Sequence, residues 1–221
     1  ESLKPWYILE LCSRSIKLGN WVQAITWAEK QNLNDVPEEI KDSFLWWYAE
    51  ALRLGNRIPQ AQKILLERIQ SGKTSMPSLY LAYFRIGDRE ASDSLNRFDT
   101  SFPQLKYTDP ETFFLSRYLA GLCAVREADW LFAKFVFNTF LDIPQNSLKE
   151  YKGWASWYSA YSLYRLGQYK ESIAAYSSFL KNYPLHPYGW QAAMTAALAS
   201  LQSSENVFEF INQALSLAPN E

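Results

Sequence analysis

The residues of this chain that could take part in chemistry are few and are not arranged as a catalytic site. His186 is the single histidine, and no Cys or other His stands near it at metal-ligand spacing. No Gly-x-Ser-x-Gly motif and no phosphate-cradling glycine loop occurs. The acidic pairs Glu38-Glu39 and Asp109/Glu111 stand where helices are predicted to begin, where negative charge favours the helix dipole. We therefore expect no enzymatic activity and no metal or cofactor.

A second set of residues has the chemistry of a binding site. Cations recur two residues before each expected turn between helices, at Lys17, Arg53, Arg85, Arg126 and Arg165. Aromatic residues lie near the last two, at Tyr118, Trp154, Trp157, Tyr161, Tyr164 and Tyr188. An arginine binds carboxylates through charge-assisted hydrogen bonds, and Arg with Trp and Tyr is the usual composition of binding hot spots. These residues are our candidate site for an acidic or carboxylate-bearing protein segment.

The composition narrows the class of protein. With 48% hydrophobic and 20% charged residues, the 221-residue chain is expected to fold rather than to be disordered. Because 22 Lys and Arg stand against 23 Asp and Glu, there is no overall positive charge that would favour nucleic acid as a partner. No apolar run approaches the roughly 18 residues that span a bilayer. The chain begins at Glu1 without Met, and we expect it to be part of a longer chain.

The elements that must position the candidate residues are pairs of amphipathic helices. Residues 163–184 have the pattern of a helix end, a tight turn at Gly167, a second helix and a stop at Pro184. Ala160 and Ser172 are small residues 12 positions apart. Small residues at such places let two antiparallel helices approach closely, so this stretch predicts a helical hairpin.

The hairpin pattern recurs along the chain. The spacing of 12 between small residues returns in the pairs Gly121/Ala133 and Cys12/Ala24. Turns are expected at Gly19, Gly55, Gly87, Ala128 and Gly167, which are 36, 32, 41 and 39 residues apart. Each cysteine, Cys12 and Cys123, falls in a first helix, and the two are far apart, so we expect buried free thiols rather than a disulfide.

The periodicity predicts six helix pairs. The first helices are expected at 4–17, 39–54, 76–86, 110–126, 148–165 and 187–200. The second helices are expected at 21–31, 58–70, 88–98, 129–142, 169–181 and 204–217. Longer connections run from Asp99 to Pro110, where a bend is expected, and from Pro144 to Leu148.

Three apolar runs bear on packing. The run 44–49 is apolar on every side of its helix, which predicts burial on more than one side. The residues Phe132, Phe135, Phe137 and Phe140 are likewise expected to be core. The last helix carries a large apolar set and stops near the end of the sequence. We expect the native chain to continue there, with packing on a partner or on itself as alternatives.

This pattern resembles the tetratricopeptide repeat, a two-helix unit of roughly 34 residues. The resemblance is strongest in 153–184, extends over 114–144 and 5–37, and is weakest in 73–104. It implies an all-α, right-handed superhelical solenoid of about six helix-turn-helix units. The whole chain, 1–221, would form one solenoid domain with a bend near 99–110.

The family resemblance also implies that the first helices line an inner, concave groove. The five cations would then form a ladder along the groove, and the aromatic residues would form a patch beside it. Two alternatives stay open. A cation in the last turn of a helix stabilises that helix end without any partner, and part of the aromatic set is expected to pack between repeats as core.

Within the family, residues 175–188 resemble a subgroup of bacterial envelope proteins. The run contains Phe179-Leu180, followed by Tyr183-Pro184, His186-Pro187 and Tyr188. Similar runs occur in the lipoprotein component of the outer-membrane β-barrel assembly machine and in the periplasmic partner of the Tol system. The resemblance implies a periplasmic or outer-membrane-associated protein that has lost an N-terminal tether; a cytoplasmic location is the alternative.

The expected function is therefore a non-enzymatic scaffold that binds partner segments in a bacterial envelope complex. Two alternatives remain. One is a structural subunit of a large envelope machine, such as a secretion or flagellar apparatus. The other is a helical accessory domain of a larger enzyme. The sequence makes no prediction of oligomeric state.

Overall fold

The described part of the chain consists of helices and their connecting loops. The computed structural model describes residues 4–142 and 148–218, and within these ranges it contains thirteen α-helices, one 3-10 turn and no strand. The predicted all-α fold is confirmed. The chain divides into two compact units, Glu1–Thr108 (unit 1) and Asp109–Glu221 (unit 2), and each is described by itself. The single domain over 1–221 and the bend near 99–110 stay predictions.

Unit 1 contains seven α-helices among its described residues. They are α1 (Pro5–Lys17), α2 (Trp21–Glu29), α3 (Glu38–Leu54), α4 (Ile58–Gln70), α5 (Pro77–Ile86), α6 (Ala91–Ser101) and α7 (Leu105–Thr108), and the 3-10 turn Leu33–Asp35 lies between α2 and α3. Helix α3 packs on α1, α2, α4 and α5. Each hairpin therefore stacks on the next, as predicted for a helical solenoid.

Unit 2 contains six α-helices among its described residues. They are α8 (Pro110–Glu127), α9 (Trp130–Leu141), α10 (Lys149–Arg165), α11 (Tyr169–Asn182), α12 (Gly189–Ser203) and α13 (Phe208–Leu217). Helix α10 packs on α8, α9, α11 and α12, which repeats the stacking seen around α3. The central first helix of each unit is thus covered on several sides, because both neighbouring hairpins pack on it.

The second helix starts later than predicted in the last hairpin, where α13 begins at Phe208 rather than near residue 204, and in the third hairpin. Helix α6 begins at Ala91 rather than near residue 88. The ring of Tyr83 lies so close to Gly87 that an added Cβ would be 2.8 Å from it, and the Tyr83 hydroxyl donates to the carbonyl of Arg89. The turn is therefore longer, and Glu90 takes a left-handed φ of 54° before the helix starts.

Two connections were predicted as loops. The first, after Asp99, contains the short helix α7 instead of an uninterrupted loop. The second begins at Pro144, and most of it lies outside the described residues.

One turn geometry closes five of the hairpins. A backbone N–H donates to the carbonyl five residues earlier, in the pairs Asn20 to Ser15, Arg57 to Leu52, Asp129 to Ala124, Gln168 to Leu163 and Glu205 to Ser200. The residue before each donor has a left-handed φ: Gly19, Asn56, Ala128, Gly167 and Ser204. This is the hydrogen bond of the Schellman motif, which satisfies carbonyls at a helix end.

In the second hairpin, the predicted position of the turn was off by one residue. The left-handed residue is Asn56 rather than Gly55. Gly55 is small for another reason: a Cβ there would lie 3.0 Å from the side chains of Trp21 and Ile25. The glycine therefore lets α2 pack against the end of α3.

The spacing of 12 between small residues brings helix backbones together as predicted. The hydroxyl of Ser172 donates to the carbonyl of Ala160 at 3.0 Å, and the thiol of Cys12 donates to the carbonyl of Ala24 at 3.4 Å. In the α8–α9 hairpin, a Cβ at Gly121 would lie 2.7 Å from the ring of Phe137. Both cysteines are buried thiols, as expected.

The aromatic core prediction is confirmed for most residues and wrong for Phe135, while Trp46, Trp47 and Phe132 are only half-buried. In α3, Phe44, Leu45, Tyr48 and Ala49 are buried. In α9, Phe137 and Phe140 are fully buried, but Phe135 is 63% exposed. Because α9 packs between α8 and α10, its remaining side faces outward. Phe135 and Leu131 lie on that side, beside a groove of about 620 Å³.

Candidate functional site

The two candidate arginines of unit 1 share one carboxylate. Arg53 donates from Nε and from a terminal nitrogen to the two oxygens of Glu50, at 2.9 and 2.6 Å. Arg85 donates to the same carboxylate at 2.6 Å. The hydrogen bonds from Arg53, assisted by Arg85, lower the pKa of Glu50 although burial opposes this. Both cations are therefore already paired within the chain, and a partner's carboxylate would compete with Glu50 for them.

Two further cations of the ladder, Lys17 and Arg126, have other surroundings. The Nζ of Lys17 lies 5.7 Å from the centre of the Trp47 ring. Arg126 is exposed. Burial raises the pKa of Tyr158, and the positive charge of Arg126 acts in the opposite direction. All five candidate cations stand in the last turn of their helices, so the helix-dipole alternative also agrees with their positions.

Unit 2 carries a continuous set of half-buried aromatic rings, which we call the aromatic strip. Its members are Trp130, Trp154, Trp157, Tyr161, Tyr164 and Tyr188. The Trp157 ring stacks on Tyr161 with centroids 5.2 Å apart and planes at 10°. Tyr188 meets both Trp157 and Trp154 edge-on, at 5.2 and 4.7 Å. The strip therefore draws on α9, α10 and the residue before α12, and the structure brings together five of the six predicted aromatic residues.

Tyr118, the sixth, lies in the core. Its side chain is 7% exposed and packs against Phe137, Phe140 and Tyr151. Burial raises the pKa of its phenol. Tyr118 therefore supports the α8–α9 hairpin and does not present its ring to a partner.

Arg165 lies at the end of the aromatic strip, with its guanidinium against two rings of that strip. Its guanidinium carbon stands 4.3 Å from the centre of the Trp130 ring, a cation–π distance. One terminal nitrogen donates to the hydroxyl of Tyr161 at 3.1 Å. No carboxylate of the described residues forms an ion pair with Arg165. The side chain is thus held in place by rings while its charge is unneutralised.

Trp130 is the residue that sequence reasoning missed. In the sequence, Trp130 stands three residues before Ala133, one of the small residues at which its own hairpin was predicted to pack. In the structure it also contacts Tyr161, with centroids 5.6 Å apart, and supports Arg165 of the next hairpin. The available signal was its location directly after the turn, at the hairpin end where Arg165 also lies.

Other kinds of site are not found in the described ranges. No group of three or more His, Cys, Asp or Glu residues there is arranged to hold a metal ion. None of the helices in those ranges is both long and apolar enough to cross a bilayer.

Comparisons with known proteins agree with the repeat architecture. Residues 154–186, which form most of the α10–α11 hairpin, match the family model of the tetratricopeptide repeat. The crystal structure of a tetratricopeptide repeat protein from Parabacteroides merdae has a similar fold, with a TM-score of 0.62 at 15% identity over 98% of this chain and 80% of that chain. No curated protein sequence matches the chain.

These similarities support the resemblance to the tetratricopeptide repeat. They do not support the resemblance to the envelope subgroup in particular. Tetratricopeptide repeats are generally scaffolds for protein–protein interaction. The segment that matches the family contains Trp154, Trp157, Tyr161, Tyr164 and Arg165. The hairpin with the clearest repeat character therefore also carries most of the candidate site.

Proposed function

We propose that this chain is a non-enzymatic scaffold whose unit 2 binds a protein segment that carries a carboxylate. The observation that supports this most directly is Arg165, which is exposed, stacked on Trp130 and not paired with any described carboxylate. The ligand group is either an acidic side chain or a chain terminus. Arg53 and Arg85 are poorer candidates because Glu50 already occupies them.

The surroundings of Arg165 favour recognition of a peptide rather than of a free anion. The ring of Trp130 and the hydroxyl of Tyr161 hold the guanidinium, so little side-chain freedom is lost when its remaining N–H groups bind a carboxylate. The adjoining rings of Trp157 and Tyr188 are half-buried and offer apolar area to neighbouring side chains. A partner segment would therefore combine an acidic group with an apolar residue beside it.

The proposed location is the periplasm or the outer membrane, with the cytoplasm as the alternative. The support is the resemblance of residues 175–188 to envelope proteins. Fractionation of the native cells with an antibody against this chain would test it. Recovery in the periplasmic or outer-membrane fraction is expected, and recovery only with cytoplasmic markers would contradict it.

The binding proposal is tested with a defined probe. A random peptide library is selected against the full chain, and the selected peptides are titrated into wild type and Arg165→Glu by fluorescence anisotropy. Lys181→Glu is the matched control, because it makes the same charge change at another exposed cation of unit 2. We expect selected peptides to be acidic or to require a free C-terminus.

Arg165→Glu should weaken binding by about tenfold or more, as for a hot-spot residue, while Lys181→Glu changes it little. Trp157→Ala should also weaken binding while the circular dichroism spectrum shows that the fold survives. Equal losses in both charge variants would mean nonspecific attraction, and no loss in either would place the site elsewhere. Either result would reject the proposal.

A second candidate function, a structural subunit of a large envelope machine, is favoured by the last hairpin. Met194, Leu198 and Leu201 on α12 are 42%, 46% and 60% exposed, and Phe208 and Leu215 on α13 are both 72% exposed. A subunit of a large assembly would bury these side chains against its neighbours. In native extracts, Phe208→Asp with Leu215→Asp would then release the chain from a large complex, whereas Arg165→Glu would not.

A further inference from the structure

The loop between α11 and α12 is attached to α10 through His186. The Nδ1 atom of His186 accepts a hydrogen bond from the backbone N–H of Tyr188 at 3.2 Å. Because Nδ1 is an acceptor, the neutral imidazole carries its proton on Nε2. Nε2 is buried and has no hydrogen-bond partner among the described residues. The imidazole therefore has one polar atom engaged and the other enclosed by apolar surface.

Rings and a glycine enclose the imidazole. Trp154 and Phe179 meet it edge-on, with centroids 4.5 and 5.0 Å away. On α10 it lies against Gly153, where an added Cβ would be only 2.9 Å from the imidazole Cδ2. The imidazole can therefore pack against α10 only because position 153 has no side chain.

No charged group of the described residues compensates a charge on His186. The neighbours from α10 and α11 are Gly153, Trp154 and Phe179, and the titratable groups beside it in the loop are the phenols of Tyr183 and Tyr188. Helices α12 and α13 contribute Gly189, Trp190 and Leu217 to the cavity that His186 also lines, and none of these is charged. Phenols are neutral near pH 7. Burial alone lowers the pKa of His186.

We propose that His186 is a pH-sensitive latch, which in its neutral form holds the α11–α12 loop on α10 and which opens when Nδ1 takes up a proton. Protonated Nδ1 becomes a donor and faces the N–H of Tyr188, so the hydrogen bond between them is lost. The imidazolium would also be half-buried, with Nε2 out of contact with solvent and no counter-ion among the described residues. Both effects favour release of the ring from its place between Trp154 and Phe179.

Opening of the latch would change the aromatic strip. The ring of Tyr188 lies 4.7 Å from Trp154 and 5.2 Å from Trp157, and its backbone is held by His186. A loop released from α10 removes Tyr188 from the strip. The latch would thus regulate the peptide-binding site, and this part of the inference rests on the proposed function.

The direction of the pH effect follows from the lowered pKa. In the released state, His186 regains its ordinary pKa of 6.5, whereas in the latched state the pKa is lower. The released state therefore binds protons first as the pH falls. The latch is fully effective above about pH 6.5 and loosens as the pH falls towards the latched-state pKa. In that range, the ratio of released to latched protein rises by up to about tenfold for each pH unit.

The free protein provides the first test. The chain has one histidine, so a single imidazole resonance reports the pKa of His186 without ambiguity. Amide hydrogen exchange of residues 183–189, corrected for intrinsic exchange, is compared between about pH 8 and pH 5, with the α1–α2 hairpin as internal control. We expect several-fold faster exchange of the loop at the acidic end and no change in the α1–α2 hairpin.

Two variants separate titration from packing. His186→Asn places an amide oxygen near the position of Nδ1 and cannot titrate, so its loop should stay protected at both pH values. His186→Phe keeps an aromatic ring and removes the acceptor, so its loop should exchange rapidly at both. An acid response in His186→Asn equal to that of wild type, or a wild-type loop insensitive to pH, would overturn the latch.

A third measurement distinguishes the latch from the proposed function. Peptides selected on the full chain should bind wild type several-fold more weakly at about pH 5 than at pH 8, and His186→Asn about equally at both. If the loop opens but affinity does not change, the regulation is wrong and the binding site stands. If no peptide binds at any pH, the proposed function fails while hydrogen exchange still decides the latch.

Discussion

The carboxylate of Asp42 and the guanidinium of Arg68 form an ion pair inside unit 1, with Oδ1 2.7 Å from Nε and both side chains at most 8% exposed. The second oxygen of Asp42 accepts from the backbone N–H and the hydroxyl of Ser75, at 2.8 and 3.3 Å. Arg68 also donates to Glu38 at 2.8 Å and to the carbonyl of Lys73 at 3.1 Å. The pair therefore attaches the loop before α5 to α3 and α4.

Removal of one partner of this pair should destabilise the protein strongly. Asp42→Leu removes the buried partner of Arg68 and leaves the guanidinium with only the exposed carboxylate of Glu38, so we expect a loss of about 3 kcal/mol in the free energy of unfolding. Urea denaturation followed by circular dichroism measures it. The matched control is Glu67→Ala in the exposed pair with Lys63, which should cost less than about 1 kcal/mol.

The double change Asp42→Leu with Arg68→Met should recover part of the loss, because no unpaired charge remains buried. If Asp42→Leu costs no more than the exposed control, the ion pair does not hold the loop.

The contact between α8 and α9 at Gly121 should not tolerate a methyl group. A Cβ at Gly121 would lie 2.7 Å from the ring of Phe137, so Gly121→Ala should cost about 1–3 kcal/mol through overpacking. At Gly189 the nearest atom would be 3.6 Å away, and Gly189→Ala should change stability by less than about 0.5 kcal/mol. Thermal unfolding of the two variants side by side tests the difference, and equal stabilities would contradict the packing argument.

One hairpin turn contains a residue that its backbone does not favour. Ala128 has a left-handed φ of 63°, which costs a residue with a Cβ roughly 1–2 kcal/mol. Ala128→Gly should therefore raise the melting temperature. The reverse change at the equivalent turn, Gly167→Ala at a φ of 73°, should lower it. A lower melting temperature for Ala128→Gly would show that the methyl group makes a contact that outweighs the backbone strain.

Acid should weaken unit 1 through Glu50. The pKa of Glu50 is lowered from its ordinary 4.5, chiefly by hydrogen bonds from Arg53. The unfolded chain therefore binds a proton at Glu50 first, so the stabilisation is complete above about pH 4.5 and is lost as the pH falls towards the folded-state pKa. Glu50→Gln should lower stability at pH 7 and flatten its decline between about pH 5 and pH 3.

The control for Glu50→Gln is Glu10→Gln, which changes an exposed carboxylate paired with Arg14. It should leave the acid dependence of the unfolding free energy close to that of wild type. If wild type and Glu50→Gln show the same dependence of the unfolding free energy on pH, Glu50 does not contribute to the loss of stability in acid.

The features predicted correctly from the sequence are those fixed by neighbours along the chain. Helical periodicity and the interval between Ala160 and Ser172 lie within one hairpin, so local pattern is enough to predict their contact. The partners of Arg68 and Arg165, by contrast, could not be predicted from local pattern. Asp42 is 26 residues from Arg68, and contacts over such a distance in the sequence depend on how separate helices stack.

The same reasoning explains what was missed on surfaces. The sequence of α9 is rich in phenylalanine throughout, so composition could not separate Phe137, which is buried, from Phe135, which is 63% exposed. Their difference follows from which side of α9 meets α8 and α10. Likewise, four of the five cations in the ladder are arginines, so residue type could not separate them. The structure shows that two of them are paired with Glu50 and that Arg165 lies on Trp130.

Gly153 and His186 are 33 positions apart in the sequence, yet they share one space in the fold. Any larger residue at position 153 would push the imidazole out, and without the imidazole a glycine inside α10 only weakens its helix. In evolutionary drift, position 153 therefore cannot take a larger residue while the histidine stays in place. The two sites should therefore be inherited as a linked pair, and a lineage that gives up the histidine is free to fill the glycine.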